Sequence, residues 1–211
     1  RSNGAAATVP LAGFPYHALE QHLHKLLKAG HRVAICEQVE DPKMAKGIVK
    51  REVVEVISPG TAMSDRYLAQ NENNYLCAVV LEQYKCGISV LDPSTGEFQT
   101  CSRNNSELLS LIKQFQVSEV IITEDQEKDL SVLLQGEVIF TTQIPDWCKT
   151  YDAAYDNLTS FFNVSTLKGY GIDKDKLAVA SAGCALYYVN KNFKGRIQHI
   201  TSLSMLQKEG I

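Results

Sequence analysis

Three acidic residues occupy positions from which they could hold metal ions. Asp92 follows a predicted strand, and Glu119 and Asp125 flank another one. A two-metal nuclease needs several carboxylates that converge on cations about 4 Å apart. Asp92, however, precedes a Pro-Ser-Thr-Gly sequence, where an aspartate commonly closes a turn by hydrogen bonding to nearby backbone. We therefore favour a turn at Asp92, and a metal-dependent nuclease that uses this residue stays the alternative.

A small basic cluster could contact phosphates. Lys43, Lys46, Lys50 and Arg51, with Gly47 among them, lie between a predicted turn and a predicted strand. Such a loop can hold a DNA duplex in place without reading its sequence. The alternative is a solvated loop that has no partner.

Two adjacent aromatic residues, Phe161 and Phe162, follow a polar stretch. Neighbouring residues cannot share one face of a helix, so one ring is expected to be exposed or covered by a neighbour. Core packing is the favoured interpretation, and a docking patch for a partner protein is the alternative.

Common signatures of enzymes are missing from the sequence. It contains neither G-x-x-x-x-G-K-[ST] nor G-x-S-x-G, and the Gly-Tyr-Gly at 169–171 lacks the third glycine of a dinucleotide site. His17, His24 and His31 recur every seven residues, but Gly30 ends the predicted helix before the third. We expect no nucleotide site and no histidine metal site.

The cysteines are typical of reduced, buried thiols. No C-x-x-C pair occurs, and Cys36, Cys77 and Cys184 lie in apolar runs, where a free thiol behaves as a small hydrophobe. This usage predicts the cytosol. The other three cysteines are Cys86, Cys101 and Cys148.

Charge is unevenly distributed along the chain. The 211 residues carry a net charge of −3, which excludes a strongly basic nucleic-acid module. Residues 61–150 hold thirteen Asp and Glu against six Lys and Arg, a net of −7 that would repel a phosphate backbone. A protein partner, or none, therefore fits this segment better than DNA. No apolar run approaches the ~18 residues that a membrane helix requires.

The first sixty residues predict one helix followed by two strands. Leucines at helical spacing over 16–29 indicate the helix, and Gly30 supplies its stop. Residues 32–36 predict a short buried strand, and the β-branched run 49–57 predicts a second one, ended by Pro and Gly. The polar residues 61–74 predict a linker.

The residues from 75 onward predict a meander and then alternating helices and strands. Turn sequences separate three strands, and two later strands alternate with helices, which favours parallel pairing. The strands are predicted at 76–81, 88–91, 97–101, 119–123 and 137–142, and the longest helix at 176–191. The predicted fold class is α/β: a ribonuclease H-like mixed sheet with flanking helices, preceded by part of a smaller mixed α/β domain.

Several sequence blocks together resemble the MutS family of DNA mismatch-repair proteins. No single block would suffice, but their order and spacing are specific, and the resemblance covers essentially all of the chain. The blocks are AGFPYHALE at 12–20, VAICEQ at 33–38, Asp-Pro at 41–42, SPGT at 58–61, DPSTGEF at 92–98 and GYGI at 169–172.

The resemblance implies a domain layout. Residues 1–60 would be the C-terminal part of the mismatch-recognition domain, 61–74 a linker, 75–194 the connector domain and 195–211 the start of the helical core. The Phe-x-Glu wedge motif and the ATPase domain of the family are missing, so we expect a fragment without catalysis or a cofactor of its own. The longer parent protein would be a DNA-dependent ATPase that uses ATP and magnesium.

The resemblance also implies contact residues. Positions that match DNA-contacting ones in the family are Arg1, Leu11, Lys46 and Arg51. The connector is the docking surface for MutL in the family, and the matching segment contains Asp156, Asn157, Phe161 and Phe162.

The expected function is therefore DNA mismatch repair. The parent would be a cytoplasmic, nucleoid-associated homodimer, without a membrane anchor, that binds mispaired or looped-out bases in duplex DNA. This chain would supply DNA-backbone contacts and a connector that relays signals and docks a MutL-type protein. The alternatives are the ribonuclease H-like nuclease and a connector that only scaffolds.

Overall fold

The structure is a computed structural model that describes residues 13–41, 44, 47–61, 73–193 and 197–207. Its helices are α1 (Leu19–Lys28), α2 (Leu108–Gln114), α3 (Glu127–Leu133), α4 (Tyr151–Phe162) and α5 (Lys176–Phe193). Its strands are β1 (Val33–Gln38), β2 (Arg51–Ile57), β3 (Leu76–Leu81), β4 (Lys85–Leu91), β5 (Phe98–Asn104), β6 (Glu119–Thr123), β7 (Thr141–Ile144) and β8 (Ser204–Met205).

The first unit, which we call the hairpin unit, is α1 packed on the antiparallel strands β1 and β2. Leu23 and Leu27 lie one helical turn apart and are buried against Ile57. Val33 and Ile35 pack around them from β1, two residues apart and therefore on one face of the strand. The predicted helix and two strands are confirmed.

Gly30 ends α1 at the position that the sequence predicts. Its φ of +77° is a left-handed conformation that favours glycine. The N–H of Gly30 donates to the Leu27 carbonyl at 2.9 Å, and the N–H of His31 donates to the Leu26 carbonyl at 3.0 Å. These two bonds satisfy carbonyls in the last turn of the helix.

The second unit, which we call the sheet unit, is built on a six-stranded mixed sheet with the order β7-β6-β3-β4-β5-β8. β3, β4 and β5 form the predicted antiparallel meander. β6 pairs parallel to β3, and β7 pairs parallel to β6. The chain is therefore a mixed α/β protein with a mixed sheet and flanking helices.

Helices cover both faces of this sheet. Leu76, Ala78 and Val80 of β3 point to the face that α4 and α5 cover, and the alternate residues point to the face of α2 and α3. Because both faces are buried, β3 is apolar at every position. Among the described residues, no helix is long and apolar enough to cross a bilayer.

The strand β7 begins later than the sequence predicts. The predicted range is 137–142, whereas β7 is Thr141–Ile144. Gln135 and Gly136 adopt positive φ after α3, and Val138 is fully exposed. The chain must first return from the end of α3, so sheet pairing begins at Thr141, opposite Val120.

Two elements were not predicted. The helix α4 packs on α5, and the short strand β8 pairs parallel to β5 at the sheet edge. Ile197, Ile200 and Leu203 are buried in the same core as α5. Residues 197–205 thus complete the sheet unit. The domain boundary at 195, which the resemblance implies, stays a prediction.

Candidate functional site

Arg51 is the one predicted DNA-contact residue that the described structure contains. It begins β2, pairs opposite Gln38 at the end of the hairpin and is exposed. Arg1, Leu11 and Lys46 lie outside the described residues, as does Lys43 of the basic cluster. The structure therefore describes the base of the basic loop.

Lys50 and Arg51 stand among acidic side chains at this end of the hairpin. The Lys50 Nζ lies 2.7 Å from the Glu52 carboxylate, and the Lys50 N–H donates to Glu40 at 2.5 Å. Both side chains of the Lys50–Glu52 pair are more than half exposed, and such pairs contribute little stability. Glu52 therefore holds the Lys50 side chain only weakly.

The predicted partner-binding residues lie on α4 or at its end, and they do not share one surface. Asp156 is exposed. Asn157 faces inward, where its side-chain N–H donates to the Gly183 carbonyl of α5 at 3.2 Å. Phe161 and Phe162 are half-buried against the core, with their ring planes at 81° to each other. The favoured interpretation of the two phenylalanines, core packing, agrees with these contacts.

An open groove of about 380 Å³ runs beside Asp156. Its lining residues are acidic or aromatic apart from one lysine: Tyr151, Asp152, Tyr155, Asp156, Lys168 and Asp173. The rings of Tyr151 and Tyr155 are 5.6 Å apart. The Lys176 Nζ lies 5.9 Å from the Tyr151 ring, so this ring already faces a cation.

The acidic residues considered for metal chemistry are committed to separate hydrogen-bond networks. The Asp92 side chain is buried and accepts from the Ser94 N–H at 2.8 Å, the Ser94 hydroxyl at 2.6 Å and the Asn74 N–H at 3.3 Å. The predicted turn at Asp92 is confirmed. Asp125 pairs with Lys149, which holds the pKa of that carboxyl below its usual value.

Glu119 takes part neither in the turn at Asp92 nor in the pair of Asp125 with Lys149. Its carboxylate is bound by hydroxyl and backbone donors, including Ser58 and Tyr188. In the parts of the chain that the structure describes, no three His, Cys, Asp or Glu side chains converge as metal ligands would. The nuclease alternative therefore has no metal-binding group of residues there.

Five of the six cysteines are buried and all six are free. Burial raises the pKa of Cys86 to about 12 and that of Cys101 to about 11, so these thiols stay protonated at neutral pH. Cys36 is exposed, and the expectation that it is buried was wrong. It lies one residue beyond Ile35, and alternation along β1 turns it away from α1.

The chain matches two models of one protein family. The model described as MutS domain I matches residues 1–66, and the model described as MutS domain II matches residues 74–201. The first match covers the hairpin unit, and the second covers the sheet unit except its edge strand β8.

Curated relatives agree with the family models. The DNA mismatch repair protein MutS of Cytophaga hutchinsonii is 40% identical over 209 residues, which cover 99% of this chain and 24% of the relative. The MutS of Parabacteroides distasonis gives the same values, and that of Christiangramia forsetii is 41% identical over 210 residues, again with 99% and 24% coverage. The chain spans about a quarter of the length of these relatives. It belongs to the MutS family of DNA mismatch-repair proteins.

Proposed function

We propose that this chain contacts the backbone of duplex DNA through the end of the hairpin unit and carries a docking surface for a MutL-type protein on the sheet unit. The observation that carries the DNA part is the match to MutS domain I together with the exposed Arg51. Arg51 and Lys50 stand at the end of the hairpin opposite to Ile57, the β2 residue that packs against α1.

Backbone contact of this kind is electrostatic and independent of sequence. Lysine and arginine displace counterions from the duplex, and the binding weakens as salt rises. In mismatch recognition, a side chain is inserted as a wedge between neighbouring bases. The free-energy cost of unstacking these bases is lowest where base pairing is already poor. We assign the wedge to a part of the parent protein outside this chain, and we assign to Arg51 and Lys46 the task of holding the duplex.

The sheet unit is proposed to be a ribonuclease H-like connector. Three meander strands are followed by two parallel strands that alternate with helices, and β4 runs opposite to the other described strands of the sheet. The buried faces on both sides make it a rigid body on which a docking surface can be displayed.

ATP and magnesium are expected in the parent protein, and the residues of this chain do not fit either of them. The sequence has no phosphate-binding G-x-x-x-x-G-K-[ST] loop. The described acidic residues Asp92 and Asp125 are each engaged by other groups of the chain. We therefore assign no catalytic step to the chain and place ATP hydrolysis in the rest of the parent, a proposed homodimer of the cytoplasm and nucleoid.

The docking surface for the MutL-type partner is proposed to be the exposed face of α4 with the groove beside it. Three aspartates and one lysine border this groove, so it favours a basic segment of the partner. Phe161, Phe162 and Asn157 support the surface from within, because they fix α4 against the core and α5.

The proposed contact with the DNA backbone is tested by reversing the charge at Arg51. Fluorescence anisotropy of the Arg51→Glu variant is expected to show weaker binding to every duplex by a similar factor. The slope of log affinity against log salt should fall by about one, as expected for the loss of one phosphate contact.

Lys128→Glu is the matched control, because Lys128 is also an exposed basic residue and lies on α3 of the sheet unit. This variant should bind as the unaltered chain does. If both variants lose affinity equally, the effect comes from net charge. Unchanged affinity of Arg51→Glu for both matched and mismatched duplexes would likewise refute a phosphate-holding role for Arg51.

A further inference from the structure

A fully buried carboxylate lies at the junction of the hairpin unit and the sheet unit. Glu119 is the first residue of β6, and its side chain has 0% solvent exposure. Burial of a charged group is costly unless hydrogen bonds replace its water. The contacts of Glu119 therefore identify what it holds in place.

The two oxygens of Glu119 accept hydrogen bonds from different units. Oε1 accepts from the Tyr188 hydroxyl at 2.5 Å and from the Thr142 hydroxyl at 2.6 Å, and both residues belong to the sheet unit. Oε2 accepts from the Ser58 hydroxyl at 2.5 Å and from the Gly60 N–H at 3.0 Å, and both follow β2 of the hairpin unit. One carboxylate thus joins the two units.

The turn that follows β2 is shaped to fit this carboxylate. The Ser58 N–H donates to the Thr61 hydroxyl oxygen at 2.8 Å, which closes the turn, and both residues are buried. A Cβ at Gly60 would lie 2.6 Å from the Glu119 Cβ, closer than side-chain carbons approach, and at a tight 3.0 Å from the Leu76 Cβ. The Ser-Pro-Gly-Thr sequence therefore does more than end a strand, because its donors and its missing side chain match Glu119.

Further contacts extend the junction on both sides. Arg32, which precedes β1, donates to the Thr142 hydroxyl oxygen at 2.9 Å. The Asn74 side chain donates to the Pro59 carbonyl at 2.8 Å. Burial, and then the charge of Glu119, raise the pKa of Tyr188, so its hydroxyl stays protonated and can donate.

We propose that Glu119 is a positioning residue that locks the hairpin unit onto the sheet unit through Ser58, Gly60, Thr142 and Tyr188. We call these five residues the latch. When the latch is closed, the two units move as one body, and a displacement of the sheet unit is passed to the hairpin end that carries Arg51. The latch goes beyond the proposed function and does not depend on DNA binding.

Hydrogen exchange of the 211-residue chain, followed by mass spectrometry, tests the latch. In Glu119→Gln, the amide group cannot accept from all four donors. Exchange in residues 51–61 is expected to rise about tenfold, because hydrogen bonds to a charged group are among the stronger ones. Exchange in the central strands, at 76–81 and 85–91, should not change. Tyr188→Phe removes one donor and should raise exchange at 51–61 by a smaller factor.

Two matched controls accompany these variants. Glu124→Gln makes the same chemical change at an exposed residue just beyond β6. Tyr187→Phe removes the hydroxyl from the neighbouring tyrosine, which packs against Trp147 outside the latch. Neither control should alter exchange at 51–61.

The amide resonance of Gly60 separates positioning from general stability. A proton donated to a carboxylate is expected downfield in a ¹H–¹⁵N spectrum, and it should move upfield in Glu119→Gln. Ser58→Ala is a milder variant, because it removes one donor of the hairpin unit and leaves Glu119 in place. It tests the latch if Glu119→Gln does not fold. It should raise exchange at 51–61 and leave the central strands protected.

If Glu119→Gln accelerated hydrogen exchange equally in 51–61 and in the central strands, the latch would be overturned, since Glu119 would then only stabilise the sheet. Unchanged exchange in Ser58→Ala and Tyr188→Phe would also overturn it. A DNA titration of the same variants reports on the proposed function separately. If the unaltered chain binds no DNA while the exchange pattern is as expected, the proposed function fails and the latch stands.

Discussion

Buried carboxylates in this chain organise turns. Asp92 accepts hydrogen bonds from the N–H groups of Asn74 and Ser94. Glu119 accepts them from the Ser58 hydroxyl and the Gly60 N–H. A carboxylate in such a position gains several charge-assisted hydrogen bonds that offset its loss of water. Acidic residues at strand ends, which in the sequence suggest metal chemistry, here hold loops against the sheet.

Asp156 is the exposed residue among the four predicted to bind the partner, so its substitution tests the docking surface. Asp156→Lys should weaken binding of a MutL-type protein on the order of tenfold, because a basic partner would then meet a like charge. The variant should fold normally, since Asp156 is exposed. A binding titration by calorimetry measures the change.

Glu127→Lys is the control for this reversal. Glu127 is exposed on α3, on the opposite face of the sheet from α4. Equal losses in the two variants, or none at Asp156, would place the docking surface elsewhere.

Single residues were predictable where burial follows from local sequence. The five cysteines within the sheet unit are buried, in agreement with their prediction as reduced thiols. Cys36 was mispredicted because an apolar run does not show which face of a two-stranded hairpin a helix covers. Asn157 illustrates the same limit, because only the contact with Gly183 shows that it faces inward.

At the scale of elements, the meander and the hairpin could be read from turn sequences and β-branched runs. The helix α4 was not predicted, because its adjacent phenylalanines interrupt a clear division into apolar and polar faces. Its signal was present in Tyr151, Ala154, Tyr155 and Leu158, which recur at i, i+3, i+4 and i+7. β8 has two residues, and a strand so short carries no periodic pattern.

The packing of α4 on α5 depends on Gly183. An added Cβ there would lie 2.4 Å from the Ala154 Cβ and 2.6 Å from its Cα. Gly183→Ala should therefore lower the free energy of unfolding by about 1–3 kcal/mol, as overpacked cores do, even though alanine favours helices. Urea denaturation followed by circular dichroism gives the value.

Gly169→Ala is the matched substitution. An added Cβ at Gly169 meets no atom within 4 Å, so this variant should be as stable as the unaltered chain. If Gly183→Ala proves equally stable, the two helices pack less closely than the structure shows.

At the scale of the whole molecule, the family and the order of most elements could be recognised from sequence, whereas the joining of the two units could not. Glu119 and Ser58 are 61 residues apart, and no local pattern predicts their contact. Three residues of the candidate DNA surface, Arg1, Leu11 and Lys46, lie outside the described residues. Their role stays a prediction.

The most direct test of the central claim is a fluorescence-anisotropy titration of the unaltered chain with matched and G·T-mismatched duplexes at two salt concentrations. We predict weak binding, with a Kd in the range of about 10⁻⁴–10⁻⁶ M that is typical of non-specific contact. The affinity should fall as salt rises and should be the same for both duplexes. Tight binding that prefers the mismatch would contradict the division of labour proposed here, and no binding at low salt would contradict the backbone contact itself.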